Sequence, residues 1–445
     1  MTEDDPGRAR APDPAPPDPA LPPESTPPAP LPDAPGAPPP PPEARGAFAA
    51  LRHHDFRVFY LGQLLSLGGS WMQSTAQGWL VLDLTDSELL LGVVTAVASL
   101  PTLLFTLYAG AVADRTDKRR IILWSDAAMG ALALLLGVLT GTGLITFPAL
   151  LVIVFLVGVA SAFEVPTRQA FFVELVGPAD LTNAIALNSS AFNATRIVGP
   201  AVAGWVIGIA GVAACFYANA VSYLAVIAGL LLMRRPPFRP PERTAGTLEN
   251  IREGLAYIRS DRVVRTLVWL IAAMSITVFP FIMLLPVFAR DVLDVGAPGL
   301  GWLLSSTGAG ALAAGIALAM WGSRVRRGRL VIGASLAFAV ALIGFAQSRS
   351  FPLSLALLAV TGFMMILNNA TVNGLLQSLV PDRLRGRVMS VYVFMFVGMA
   401  PLGSLQAGAV SRWLDAPTCI TIGAVVLIGV LLWIAWRVPE LGEVR

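Results

Sequence analysis

Apolar residues in this chain gather into twelve runs, each near or above the roughly 20 residues that a helix needs to cross a hydrocarbon core. The first six are Phe56 to Leu82, Leu89 to Ala113, Ile121 to Thr140, Phe147 to about Phe172, Leu181 to Ile209 and Val212 to Met233. The second six are Val263 to Ala289, Leu300 to Trp321, Leu330 to Ala346, Phe351 to Leu379, Val388 to Trp413 and Thr418 to Trp436. Short polar stretches separate them, with one longer interval in the middle. The pattern predicts an all-α membrane protein with twelve transmembrane helices.

Charge orients these spans. Arg52 and Arg57, the stretch from Gly110 to Arg120, the eight arginines between 234 and 265, Arg324 to Arg329, and Arg383 to Arg387 fall on one side. The opposite loops hold Arg290, Arg349 and Arg412. Basic loops stay in the cytoplasm, so both termini are expected there, in a multi-pass protein of the cell membrane. The chain is 55% hydrophobic and 13% charged, which agrees with a polytopic membrane protein. Residues 1–45 differ, holding 18 of the 35 prolines with eight acidic and three basic residues. They form an expected disordered cytoplasmic tail, since such a segment buries too little apolar surface to order itself. Outside it stand 28 basic and 20 acidic residues, an excess that an anionic leaflet explains as readily as an anionic substrate.

The middle interval contains Leu248, Ile251, Leu255 and Ile258 at helical spacing, opposite Glu249, Arg252, Glu253 and Arg259. That describes an amphipathic helix on the membrane surface. It divides the chain into a first six-helix bundle over 46–233, a cytoplasmic linker over 234–262, a second bundle over 263–437 and a short cytoplasmic tail over 438–445. A repeat supports the division. Gly92 and Arg115 match Gly301 and Arg324 at an offset of 209, and Thr167 with Leu175-Val176 matches Thr371 with Leu379-Val380 at 204. Asp83 to Asp86 echoes Asp291 to Asp294, and Ser323 stands where the first copy has Asp114. Duplicated halves build a midplane site at the interface between repeats.

At the end of the second run, Gly110 and Asp114 lie four residues apart and share a helix face, followed by Arg115, Lys118, Arg119 and Arg120. This stretch, GAVADRTDKRR, resembles the signature loop between helices 2 and 3 of the major facilitator superfamily. Asp117 stands where that family usually has a second glycine. The segments EVPTR (Glu164 to Arg168), LTNAIALN (Leu181 to Asn188), RIVGPAVAG (Arg196 to Gly204) and VPDRLRGRVM (Val380 to Met389) resemble its branch of enterobactin exporters and macrolide-efflux proteins.

The resemblance implies the major facilitator fold, two pseudo-symmetric six-helix bundles that alternate access to a central site. It implies gating by Gly110, Asp114, Arg115, Arg119 and Arg120, with Glu164 and Arg168 bridging to the basic loop in the outward-open state. An i,i+4 pair between Glu164 and Arg168 is the simpler alternative. Gly199, Pro200 and Gly204 resemble the end of the antiporter motif of the fifth helix, with Ala186 and Thr195 in place of its upstream glycines. Proline frees a backbone acceptor and small residues admit close packing, so this segment can bend and seal, or simply pack. Proton antiport is likewise implied by the resemblance. No acid occurs from Phe56 to Leu82, which leaves Asp126 and Glu164 as the proton-coupling candidates.

Polar stripes at helical spacing mark inward faces, because an amide facing lipid is costly. They run through Gly62, Ser66, Gly69, Gln73 and Gln77; Ser189, Asn193 and Arg196; Ser305 and Ser306; and Asn369, Asn373 and Gln377. Substrate-binding candidates are Gln73, Gln77, Asn193, Arg196, Asn369 and Asn373, between apolar walls that include Trp71, Met274, Phe279, Met283 and Phe394. Helix-to-helix hydrogen bonding is the competing role. Arg196 is the sharpest candidate, since a charge deep in a span costs about 2.5 to 3.5 kcal/mol on insertion scales.

The lone lysine, Lys118, follows no phosphate-cradling motif, so nucleotide hydrolysis is not expected. With His53, His54, Cys215 and Cys419 the only histidines and cysteines, neither a metal site nor a cofactor is expected. The reading is a monomeric transporter that is not an enzyme, with a small-molecule substrate, a proton or other coupling ion, membrane lipids around it and no nucleic-acid partner. It is read as a secondary active exporter of small amphipathic organic compounds, such as drugs, natural products or siderophores, which suit a polar cavity floor with apolar walls. Lysophospholipid flipping and a non-transporting scaffold or sensor are the competing functions.

Overall fold

A computed structural model describes residues 48–233, 247–321 and 326–444. The tail over 1–45, the 234–246 part of the linker, and Ser323 with Arg324 lie outside the described residues, as do the side chains of Asp114, Leu248, Glu249, Ile251 and Arg252. The first half is built from α1 (His54–Thr85), α2 (Glu88–Arg115), α3 (Lys118–Gly141), α4 (Phe147–Gly177), α5 (Ala179–Ala210) and α6 (Val212–Leu232). A shorter helix, α7 (Thr247–Ser260), precedes the second half. That half comprises α8 (Arg262–Val292), α9 (Gly296–Trp321), α10 (Arg327–Gln347), α11 (Phe351–Leu379), α12 (Asp382–Leu414) and α13 (Ala416–Arg437).

Among the described residues, twelve helices are long, and eleven of them are apolar enough by composition to cross a membrane. The exception is α1, which has 32 residues and ample length; Gln63, Ser66, Gln73 and Gln77 dilute its apolar content. Six long helices precede α7 and six follow it.

Tight joints position the helices. The chain turns from α4 into α5 at Gly177 with φ 69°, a left-handed geometry that costs a residue with a Cβ roughly 1 to 2 kcal/mol. Equivalent joints in the two halves share their geometry. Asp86 after α1 and Asp294 before α9 have φ of 47° and 50°, and Gly211 before α6 and Asp415 before α13 have 79° and 69°. Aspartate tolerates this region because its carboxylate finds local donors; Asp415 accepts from the Thr418 amide at 2.7 Å. Asp117, at the place of the family's second glycine, caps α3 by accepting from the Arg119 amide at 3.0 Å.

Two spans of the second half bend at prolines, which lack the amide donor a straight helix needs. In α8 the helix stops after Thr277 and resumes at Phe281 beyond Pro280. In α12 it breaks at Met399, just before Pro401. Ser275 of α8 donates to the Phe396 carbonyl beside that break at 3.1 Å.

Lipid gives no hydrophobic reward for helix association, so close van der Waals packing holds the bundles. Aromatic rings join α1 to α4, with Phe59 and Phe171 edge to face at 5.4 Å. A Cβ on Gly158 of α4 would sit 2.7 Å from the Ala98 carbonyl oxygen of α2. The linker helix α7 docks on the second half: Tyr257 donates to the Leu379 carbonyl at 3.4 Å, and Glu253 pairs with Arg387 of α12.

Candidate functional site

Polar groups from four helices of the first half converge inside its bundle. On α4, Glu164 and Arg168 are one turn apart, and Arg168 Nε lies 3.0 Å from Glu164 Oε1. Arg168 Nη1 also donates to Gln63 Oε1 of α1 at 2.9 Å. Asp126 of α3 is 2% exposed and within electrostatic reach of both Glu164 and Arg168. Its Oδ2 is buried without a hydrogen-bond partner. From α6, the Tyr223 hydroxyl reaches Ser70 Oγ at 3.5 Å and Met129 Sδ at 3.6 Å. One turn away, Asn219 Nδ2 donates to Gln73 Oε1 of α1 at 2.8 Å. Counted along their helices, Gln63, Asp126 and Arg168 lie about 12 to 14 Å from the end that carries the arginine-rich loops, hereafter the basic end. The pocket therefore holds two carboxyl groups against one guanidinium in a place with little water.

Arg196 lies where the two halves meet. Its backbone runs against α9, since a Cβ on Gly308 would be 3.2 Å from the Arg196 carbonyl oxygen. The next carbonyl, of Ile197, accepts from Ser305 Oγ at 2.5 Å. The Arg196 side chain is partly exposed, with no ion pair or side-chain hydrogen bond among the described residues. Asp126 is grouped with Glu164 and Arg168 and not with Arg196.

The remaining substrate candidates are dispersed. Gln73 is engaged by Asn219 inside the first half, and Gln77 is half-buried one turn further along α1. Asn193 donates to the Ser189 carbonyl of its own helix at 2.8 Å. On α11, Asn369 has a buried Oδ1 without a partner, while Asn373 accepts from Gln377. The adjacent Asn368 points the other way and donates to Ser335 and to the Val331 carbonyl of α10. Among the apolar walls, Trp71 meets Phe192 edge to face at 5.7 Å and Phe394 is exposed. Met274 and Met283 are buried in the core of the second half, and Phe279 packs on Phe338 and Phe396.

At the end opposite the basic loops, two glycine pairs bring the halves together. A Cβ on Gly204 of α5 would fall 3.1 Å from the Gly301 Cα of α9, and one on Gly301 would fall 2.5 Å from the Pro200 carbonyl oxygen. A Cβ on Gly92 of α2 would fall 3.2 Å from the Gly408 Cα of α12, and one on Gly408 would fall 2.7 Å from the Glu88 carbonyl oxygen. Gly92 and Gly301 are separated by the repeat offset of 209, and Gly204 and Gly408 by that of 204. The two contacts are thus one contact, duplicated. Gly199 serves a different approach, with its Cβ position 2.6 Å from Trp71 Cβ of α1. Arg290 of α8 adds a polar tie at this end, donating to the Leu82 carbonyl at 3.1 Å and pairing with Asp86 and Asp291.

The basic end is more open around the signature stretch. A Cβ on Gly110 would meet nothing within 4 Å. Arg115 and Arg120 are exposed, Arg120 lies 3.7 Å from Asp117, and Arg119 donates to the Leu231 carbonyl at 3.4 Å. Glu164 and Arg168 pair with one another and with Gln63. Lys118 makes the tie from the basic turn to α4, 2.5 Å from Glu174. Gln63, Asn219, Tyr223, Lys118, Glu174 and Arg290 were not singled out from the sequence as functional. Asn219 and Tyr223 had a signal, being polar groups one turn apart in an apolar run. Among the described residues, no group of three or more His, Cys, Asp or Glu side chains gathers to hold a metal.

The chain matches the family described as "Transmembrane secretion effector" over residues 45–444. It is 26% identical to the staphyloferrin A transporter of Staphylococcus aureus, over 78% of this chain and 87% of that protein. It is 28% identical to the multidrug efflux pump Tap of Mycolicibacterium fortuitum, over 76% and 85% respectively. Macrolide efflux protein A of Streptococcus pyogenes is 20% identical over 78% of this chain and 87% of its own length. Among solved structures, a bacterial homologue of the human lysosomal transporter Spinster, inward-facing and occupied, superposes with a TM-score of 0.69 at 13% identity, covering 88% of this chain and 97% of that one. An inward-facing bacterial homologue of the iron transporter ferroportin gives 0.67 at 15% identity, covering 85% and 98%.

Proposed function

Because the chain belongs to the transmembrane secretion effector family of the major facilitator superfamily, we propose that it exports small amphipathic organic compounds across the cell membrane in exchange for protons. The observation that carries this reading is the duplicated glycine seam, Gly204 with Gly301 and Gly92 with Gly408, which closes one end of the junction between the halves. With the basic loops and both termini in the cytoplasm, that closed end is the outer one. Export then requires the seam to part while the basic end closes, and the moving bodies are residues 46–233 and 263–437, joined by the linker over 234–262.

Arg196 is the substrate contact in this scheme. It stands at the junction with its guanidinium uncommitted, and a charge left unpaired in a span needs water or an anion. An acidic or strongly polarised group on an otherwise apolar compound meets that need. Asn193 one turn away, and Gln77, Asn369 and Asn373 at other depths, supply neutral hydrogen-bonding positions along the path. The relatives named for staphyloferrin A, multiple drugs and macrolides support an organic substrate of this kind.

Coupling resides in Asp126 and Glu164. Arg168 compensates one carboxylate, and a second buried negative charge costs several kcal/mol unless something neutralises it. A proton does so at least expense, and its loss toward the basic end leaves Arg168 shared between two acids. Arg168 also holds Gln63, so that change reaches α1 and thereby α5, through the Trp71 and Gly199 contact. Gly110, Asp114, Arg115, Arg119 and Arg120 close the basic end in the alternate state. The protein acts as a monomer, each chain holding both halves.

Uptake into inside-out vesicles tests the reading, with a panel of dyes, macrolides and siderophores and an imposed pH gradient. Gradient-dependent accumulation of at least one compound is expected. Movement of lysophospholipid alone would assign lipid handling instead, and no movement of any compound would overturn transport.

A further inference from the structure

Where α8 begins and α13 ends, both at the basic end, a groove of about 420 Å³ lies between them. Arg262 and Arg265 come from the first turn of α8, and Arg437 from the last turn of α13. Arg262 is committed: it lies 3.2 Å from Glu440 and donates to the Arg437 carbonyl. Arg265 donates to the Arg259 carbonyl at 2.9 Å, and the Arg437 guanidinium lies 4.7 Å from the Trp436 ring centre. Neither Arg265 nor Arg437 has a carboxylate partner among the described residues. The acids near the groove are already used, Glu440 by Arg262 and Asp261 as the cap of α8, accepting from the Val264 amide at 2.9 Å. The mouth therefore holds surplus positive charge at the depth where a bilayer presents its phosphates.

Deeper in, the lining turns apolar. Trp269 and Trp433 frame the groove and are 60% and 55% exposed, the amphipathic rings that settle at a membrane interface. Behind them Leu270, Ala273 and Val430 continue the surface, which reaches about 10 to 16 Å from the helix ends toward the bilayer middle. Cations above and an apolar furrow below match one amphiphile in charge and in length. We propose that this groove binds an anionic phospholipid from the leaflet at the basic end, with its phosphate between Arg265 and Arg437 and an acyl chain along Trp269 and Val430. The occupant bridges the first and last spans of the second half. It stands apart from the junction that holds Arg196 and does not depend on what the protein exports.

Native mass spectrometry of the full-length protein, purified in a mild non-ionic detergent and supplied with phosphatidylglycerol or phosphatidylcholine, tests the site. Retention of phosphatidylglycerol in preference to phosphatidylcholine is expected. Arg265→Gln combined with Arg437→Gln should lower that retention by roughly tenfold or more. Arg326→Gln combined with Arg383→Gln, exposed charges at the same end, should leave it within a factor of about two. Arg437→Gln alone provides the same reading if the double variant does not fold. Equal loss from both pairs, or equal retention of the two lipids, would mean diffuse surface charge and would overturn the site. Displacement of the lipid by millimolar inorganic phosphate would assign a free-anion site and overturn the lipid.

Discussion

Gly204 and Gly301 approach so closely that a Cβ on the first would lie 3.1 Å from the Cα of the second, and their repeat equivalents, Gly408 and Gly92, make the same approach. Each pair joins a helix of one half to a helix of the other. Replacing Gly204 or Gly301 by leucine inserts a side chain where backbone already sits, at a cost of about 1 to 3 kcal/mol or more. Vesicle transport should fall at least tenfold at matched protein levels, with Gly204→Ala intermediate. Undiminished transport by both leucine variants would remove the seam from the cycle. Gly199→Leu should also block transport, through α1 and not through α9.

Removing Arg168 leaves two carboxyl groups in one buried pocket. Arg168→Gln should lower the melting temperature markedly, because breaking a buried pair costs about 3 to 5 kcal/mol. Adding Glu164→Gln should restore most of the loss. Additive losses in the double variant would show that the groups are not coupled.

Asp126→Asn removes the uncompensated acid. The variant should fold as well as the parent or better, yet lose the dependence of transport on a pH gradient. Retained dependence would move the proton site to Glu164 or elsewhere.

Arg196→Lys keeps the charge and loses the planar fork, so transport should drop strongly if the substrate is held bidentately. Arg196→Ala should insert normally and be inactive. Full activity of the lysine variant, or a cysteine at 196 closed to water-soluble thiol reagents from both sides, would overturn the substrate contact.

Asp114→Asn should sharply reduce transport at normal expression, and equal activity at matched levels would take it out of the gate.

The helices, their number and the duplication were legible because lipid imposes long apolar runs and the repeat preserves residues where helices touch. Gly92 and Gly301 surfaced in sequence as matches at an offset of 209; their partners Gly408 and Gly204 close the same contact. Polarity within a span was also readable, and Gln63, Asn219 and Tyr223 show its limit. An amide or hydroxyl facing a neighbouring helix and one facing a cavity share the same spacing, so Gln73 looked like a cavity group and is bonded to Asn219. Ion-pair partners were less legible still. Lys118 reaches Glu174, and Arg290 reaches Asp86, across 56 and 204 residues of sequence, a separation that only the packed bundle brings together.

Spin labels at Ile209 on α5 and Trp302 on α9, both exposed, measure the seam itself. In protein reconstituted in bilayers, double electron–electron resonance should give a short distance corresponding to the closed seam and a longer one whose population grows with substrate or a change of pH. Gly204→Leu should depopulate the short distance. A single short distance under every condition, in protein that still transports, would contradict the account.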